Sequence, residues 1–163
     1  MNTLRVVNNF LASIAMTLAM CIIFIMVAAL TLSASTRFIT GSGFAWFIEL
    51  PPVLVRWLVF PLLGPLLKKG QHIQVDFLTP LLSDKSKKIL NLSVNLIALM
   101  SACIFFKAGF DATHLYYNLG QMMDIEISVP IWWMFLAFPV GFLILGLVSL
   151  ELLIDNFFDL YKK

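Results

Sequence analysis

The stretch "VVNNFLASIAMTLAMCIIFIMVAALTLSAST", Val6 to Thr36, contains no charged residue and decides the class of the fold. A helix of about 18 to 20 apolar residues is long enough to cross the hydrocarbon layer of a bilayer. Two further uncharged stretches reach that length, Ile89 to Phe106 and Ile127 to Leu150. The chain of 163 residues is 61% hydrophobic and 12% charged, which is too apolar for a soluble domain. We therefore expect a membrane protein.

A fourth apolar stretch, about Ala45 to Leu67, carries Glu49 and Arg56 inside the hydrocarbon. The sequence thus predicts an all-α integral membrane protein with four transmembrane helices in a single domain. The first helix is longer than the apolar region of a signal peptide, about 7 to 15 residues, so we expect it to be retained. Prolines predict kinks in the second and fourth helices. The predicted spans are about 10–34, 45–67, 89–115 and 127–150.

Basic residues orient the helices, because they are enriched in short cytoplasmic segments. With both termini inside, only Arg37 of the flanking bases lies outside. The sequence therefore predicts cytoplasmic amino and carboxyl termini. The eight flanking bases that this topology places inside are Arg5, Lys68, Lys69, Lys85, Lys87, Lys88, Lys162 and Lys163.

The segment "KKGQHIQVDFL", Lys68 to Leu78, then marks the inner membrane boundary, where its two lysines are placed to meet lipid phosphates. Beyond them, Ile73, Phe77 and Leu81 recur at helical spacing opposite polar side chains. This pattern predicts a short amphipathic segment lying in the interface between the second and third spans.

The sequence gives no support for an enzyme, a metal site or a cofactor. His72 and Asp76 are spaced for one helical face, but no nearby side chain completes a set of three or four ligands. The topology places His72 and His114 at opposite faces of the membrane, which argues against a haem held between helices. Cys21 and Cys103 lie inside spans without CxxC spacing and are expected to pack.

Polar side chains in the third and fourth helices have two interpretations each. Lys107 and Asp111 share one stripe of the third helix with His114, either as a Lys–Asp pair at the water boundary or as a contact with another subunit. Acidic residues recur at helical spacing in the last helix and are expected to form a solvated face. Those acids are Glu151, Asp155 and Asp159.

Three indoles near the outer ends are expected to anchor in the headgroup region: Trp46, Trp132 and Trp133.

Depth along the helices identifies the candidate contacts with a partner. Counted from Lys68, Arg56 lies roughly 18 Å and Glu49 roughly 28 Å into a hydrocarbon layer of about 30 Å. Lys107 lies roughly 27 Å from the inner end of the third helix, so we expect it to pair with Glu49. Arg56 then has no acid of its own chain at its level. We therefore predict that Arg56, and with it Glu49, Lys107 and Asp111, lie at a subunit interface.

The order of these features resembles the small, DctQ-type membrane subunit of tripartite ATP-independent periplasmic (TRAP) transporters, over most of the chain. Its most specific parts are Gly70-x-His72-Ile73-x-Val75-Asp76, read as an interfacial motif, and Pro130-x-Trp132 followed by Pro139-x-Gly141. Where that family usually has a base after the acid of the second span, this chain has Pro52 and Val53. The other matching features are Trp46, Glu49, Trp57, Gly64 and the stretch "ISVPIWWMFLAFPVG", Ile127 to Gly141.

The resemblance implies four transmembrane helices and a scaffold role in the bacterial inner membrane, without a cofactor or a nucleic-acid partner. It implies binding to a large multispanning subunit that carries the sodium and substrate sites, and transient contact with a periplasmic solute-binding protein. The transported solutes would be organic acids. Two other functions remain open at this point: an autonomous small transporter, and a membrane-anchor subunit of a redox complex.

The predicted topology can be tested with single cysteines at Ser42, Ser86 and Gln121, in a background that lacks both native cysteines. An impermeant thiol reagent applied to intact cells should label the cysteines that replace Ser42 and Gln121. The cysteine that replaces Ser86 should stay unlabelled, because the bases flanking it favour the cytoplasm. Labelling of Ser86 with protection of the other two would reverse the orientation.

Overall fold

The computed structural model describes residues 2–43, 45–70, 84–123 and 128–161. Within these ranges the chain is helical without a regular strand, and four helical segments are long and apolar enough to cross a membrane. The predicted all-α fold with four spans is confirmed. The helices are α1 (Asn2–Thr40), α2 (Ala45–Val59), a 3-10 turn (Phe60–Leu62), α3 (Leu63–Lys68), α4 (Asp84–Leu119), α5 (Ile131–Phe135) and α6 (Ala137–Tyr161).

The first and third spans extend beyond their predicted limits. α1 has 39 residues and α4 has 36. At about 1.5 Å per residue both are much longer than a hydrocarbon layer of about 30 Å, so their ends reach into the headgroup region or the helices tilt. The amphipathic segment predicted between the second and third spans lies outside the described residues, and so do His72 and Asp76.

Three helices end at a glycine in the left-handed conformation. Gly41, Gly70 and Gly120 have φ values of 74°, 64° and 60°. The backbone N–H of Gly41 donates to the Arg37 carbonyl at 3.0 Å, which satisfies one of the last carbonyls of α1. A side chain at any of these positions would strain the backbone. Gly70 of the predicted interfacial motif therefore has a structural role as the residue that ends α3.

The second and fourth spans are interrupted at the places where the prolines predicted kinks. In the second span the α-helix tightens into a 3-10 turn that contains Pro61. In the fourth span α5 and α6 are separated by Leu136, shortly before Pro139. α6 lies at the centre of the described bundle and packs against α4, α3, the 3-10 turn and α1.

Glycines let the second, third and fourth spans approach closely. A Cβ atom built on Gly141 would lie 2.4 Å from the carbonyl oxygen of Phe60, and one on Gly64 would lie 2.8 Å from Cγ2 of Ile144. On α4, a Cβ at Gly109 would be 3.0 Å from Phe138 Cβ. Such small residues at helix contacts are typical of membrane bundles, because they bring backbones close enough for extensive van der Waals contact.

Gly141→Ala should therefore destabilise the bundle. The added methyl meets the backbone of Phe60, which cannot rotate away as a side chain would, and overpacking of this kind costs about 1 to 3 kcal/mol. The matched control is Gly146→Ala, whose methyl would contact Ala102 Cβ at an ordinary 3.6 Å. Denaturation in mixed detergent micelles, followed by circular dichroism, measures the difference; equal stability of the two variants would contradict the close contact.

Candidate functional site

A cluster of polar side chains lies at the predicted inner end of the bundle. Lys68 Nζ contacts Oε1 and Oε2 of Glu151 at 2.8 and 3.1 Å and donates to Asn9 Oδ1 at 2.9 Å. Asn8 Nδ2 donates to the same carboxylate and to the Leu147 carbonyl, the latter at 3.1 Å. Asn8 is fully buried and Glu151 is 4% exposed. We call Asn8, Asn9, Lys68 and Glu151 the inner polar cluster.

The inner polar cluster joins three of the four spans, since its members come from α1, α3 and α6. A buried carboxylate is stable only when opposite charge and hydrogen-bond donors surround it, and Lys68 supplies the charge. A second ion pair, Arg5 to Asp155 at 2.7 Å, joins α1 to α6 at a more exposed position. Together these contacts fix the inner half of α1 against the rest of the bundle.

This arrangement corrects the prediction of a solvated acidic face on the last helix. Glu151 is buried and paired, and Asp155 pairs with Arg5; the side chain of Asp159 lies outside the described residues. Lys68 was expected to meet lipid phosphates but is held by Glu151. The pair could have been predicted from depth in the membrane. The predicted topology places Lys68 and Glu151 at the same inner boundary, on two helices that can lie side by side in a four-helix protein.

The amide of Asn8 can be oriented from its surroundings. Its Nδ2 faces the Glu151 carboxylate and the Leu147 carbonyl, both of which accept hydrogen bonds. Rotation of the amide by 180° would place Oδ1 against those acceptors and cost both bonds. Asn8 Oδ1 itself is buried without a hydrogen-bond partner in the described part of the chain. Asn8 therefore acts here as a donor to Glu151.

Arg56 lies in the middle of the second span and is half-buried. Its Nη1 lies 3.2 Å from the Met134 sulfur, which is a weak acceptor, and no carboxylate contacts it among the described residues. Next to it, Trp57 Nε1 donates to the Trp133 carbonyl at 3.2 Å. The guanidinium is thus placed beside α5, and among the described residues most of its N–H donors have no acceptor.

Glu49, Lys107 and Asp111 do not form the predicted pairs. No ion pair within 4 Å joins Lys107 to Glu49 or to Asp111 in the ranges that the structure describes. α4 packs mainly against α6 and α5, and α2 packs mainly against α1. Lys107 and Asp111 each lie two residues from Gly109, about 200° around the helix, so they face away from α6 and are exposed.

The indoles predicted as membrane anchors also make contacts within the chain. Trp46 stacks on Phe47 with ring centroids 3.8 Å apart, and Trp132 meets Tyr117 edge to face at 5.7 Å. Trp133 is 40% exposed. These contacts rigidify the predicted outer end, while anchoring in headgroups stays a prediction.

Glu49 lines a small cleft at this end, of about 130 Å³, together with Trp46, Val53 and Trp133. The remaining walls are apolar, so the carboxylate is the main polar group of the cleft.

Elsewhere, His114 Nδ1 lies 3.2 Å from Asn118 Nδ2 on the same helix. In the described ranges no three His, Cys, Asp or Glu side chains lie close enough together to hold a metal ion.

Comparison with known families gives one result. A family model for tripartite ATP-independent periplasmic transporters, DctQ component, matches residues 26–159. No curated protein gives a significant match. The matched region contains the second to fourth spans with Lys68 and Glu151, and it begins after Asn8 and Asn9.

Removing one partner of the buried pair should cost more than removing one partner of the exposed pair. Lys68→Met leaves the Glu151 carboxylate buried without opposite charge, a loss on the order of 3 kcal/mol. Asp155→Asn, the control at the half-exposed pair, should cost at most about 1 kcal/mol. The double variant Lys68→Met/Glu151→Gln should regain most of the loss. Denaturation in mixed micelles measures all three; equal losses for both single variants would show that the cluster contributes no special stability.

Proposed function

Because the chain belongs to the DctQ component family of tripartite ATP-independent periplasmic transporters, we propose that it is the small scaffold subunit of a sodium-driven importer of carboxylate-bearing solutes. The family is a transporter component family and not an enzyme family, and a tripartite transporter implies a large membrane subunit and a solute-binding protein as partners. The spans and the family together indicate the inner membrane. We place both termini in the cytoplasm, as the flanking bases favour.

A scaffold role is supported by where the polar groups lie. In the described part of the chain, the buried ion pair lies at the inner end. Lys68 and Glu151 bind each other, and Asn8 donates a hydrogen bond to the same carboxylate. A surface cleft of about 230 Å³ between α4 and α6 is lined by apolar side chains such as Leu99 and Phe142. A transporter needs polar groups in the membrane to replace the hydration of an ion or an acid. We therefore assign translocation to the large subunit.

The observation that carries the proposed contact with that subunit is the position of Arg56. Within the described ranges its guanidinium contacts the Met134 sulfur, a weak acceptor, and Glu49 lies two helical turns away along α2. An unpaired charge at the centre of a span costs on the order of 2.5 to 3.5 kcal/mol. A carboxylate or a helix carboxyl end of the large subunit would remove this cost with strong, directional hydrogen bonds.

The same proposal covers the other predicted interface residues. Lys107 and Asp111 are exposed on the side of α4 that faces away from α6, at the predicted outer end of the membrane. Glu49 lies at a similar depth on α2, in the cleft beside Trp46. Charges at this level are stabilised by protein contacts more readily than by lipid, which favours contact with another subunit.

Replacing Arg56 by Leu should leave membrane insertion intact and weaken binding to the large subunit. Truncating one partner of a buried charged hydrogen bond costs about 2 kcal/mol or more, which corresponds to a loss of at least about thirtyfold in affinity. Arg56→Lys should be intermediate because the planar, two-pronged geometry is lost. Arg37→Leu is the matched control, since it removes the same charge from an exposed position at the end of α1.

Co-purification with the large subunit and sodium-dependent uptake by proteoliposomes measure these effects. Wild-type yield and uptake from the Arg56→Leu complex would show that Arg56 is no subunit contact. In the same assay, vesicles that contain this chain alone should take up no organic acid above empty vesicles. Uptake by the chain alone would favour an autonomous transporter, and a cofactor absorption spectrum of the purified chain would favour a redox anchor.

A further inference from the structure

An open groove of about 510 Å³ lies between α1 and α3 at the predicted inner end of the bundle. Its floor is apolar and is formed by Ala12, Met16 and Pro65. Its polar rim is formed by Ser13, Lys69 and two members of the inner polar cluster, Asn9 and Lys68. Met16 is seven residues beyond Asn9, so the floor extends roughly 10 Å from the rim toward the middle of the membrane.

The rim is rich in hydrogen-bond donors that this chain does not use. Lys68 is neutralised by Glu151, whereas Lys69 is exposed and its side chain has no ion pair or hydrogen bond among the described residues. Asn9 turns its Oδ1 toward Lys68, which leaves the two N–H donors of its Nδ2 without an acceptor there. The Ser13 hydroxyl, one residue after Ala12 and on the same face of α1 as Met16, adds a further donor. The rim thus carries one positive charge and an excess of donors over acceptors.

We propose that this groove binds an anionic phospholipid of the inner leaflet. The phosphate would accept hydrogen bonds from Lys69, from the Asn9 amide and from Ser13, and an acyl chain would lie along Met16 and Pro65. A rim of donors beside an apolar floor suits an amphiphile, because a soluble anion would use the rim and leave the floor in contact with other lipid. The negative surface potential of the cytoplasmic leaflet favours occupation by such a lipid.

The Lys68–Glu151 pair gives the site its specificity in this proposal. By holding Lys68 inward, the carboxylate fixes the last turn of α3, and the neighbouring Lys69 is presented at the rim. A pair of free lysines would attract any anionic surface, whereas a single lysine at the end of a fixed helical turn, beside an amide that Lys68 holds, favours a phosphate at a defined position.

Binding can be measured by native mass spectrometry of the purified full chain with phosphatidylglycerol and with phosphatidylcholine of the same acyl chains. Wild type should prefer phosphatidylglycerol, and Lys69→Gln should weaken its binding about fivefold. Lys88→Gln is the matched control, because it removes an exposed lysine at the inner end of α4, away from the groove. Ala12→Phe, which fills the floor, should weaken both lipids.

Three results would overturn the proposal. Equal losses for Lys69→Gln and Lys88→Gln would indicate general attraction to a basic surface. Competition by free glycerol phosphate would indicate a soluble anion as the occupant. Unchanged lipid binding by Ala12→Phe, with reduced co-purification of the large subunit, would make the groove a protein interface. Circular dichroism of each variant confirms that it is folded before lipid is added.

Discussion

The buried pair between Lys68 and Glu151 is the contact on which the predicted inner half of the molecule depends. A carboxylate that is 4% exposed must have a cation and hydrogen-bond donors beside it, and these come from α3 and α1. Three spans are thereby fixed at one level. Only 17% of the residues in the most apolar stretch of α1 are buried. The polar contacts with Lys68 and Glu151 therefore explain why α1 keeps a defined position against the bundle.

Close backbone contacts provide the second constraint. The 3-10 turn of the second span lies directly on Gly141 of α6, where even a methyl group would collide with a carbonyl. Van der Waals packing of this kind replaces the hydrophobic driving force, which is absent between helices in lipid. It also sets the position of Arg56, one turn before the 3-10 turn, beside Met134 at the start of the fourth span.

Charges in this protein thus fall into two groups with different consequences. At the predicted inner end, opposite charges pair with one another and stabilise the bundle. In the middle and at the outer end, Arg56, Lys107 and Asp111 make no ion pair within the described part of the chain. Such charges are costly in lipid, so a partner that covers them gains affinity. This division agrees with the proposed contact between this chain and a large subunit.

The sequence by itself determined the number of spans, the prolines that interrupt two of them and the position of Arg56 in the middle of the second span, because length, hydropathy and spacing act along one helix at a time. It also identified the family through its ordered motifs. Only the tertiary structure decided which charges meet. Glu151 and Lys68 are 83 residues apart, and Glu49 and Lys107 were an equally good match by depth alone. Depth gives the level of a side chain but not the helix beside it. In the tertiary structure α6 packs against α3, where Gly64 allows a close approach to Ile144.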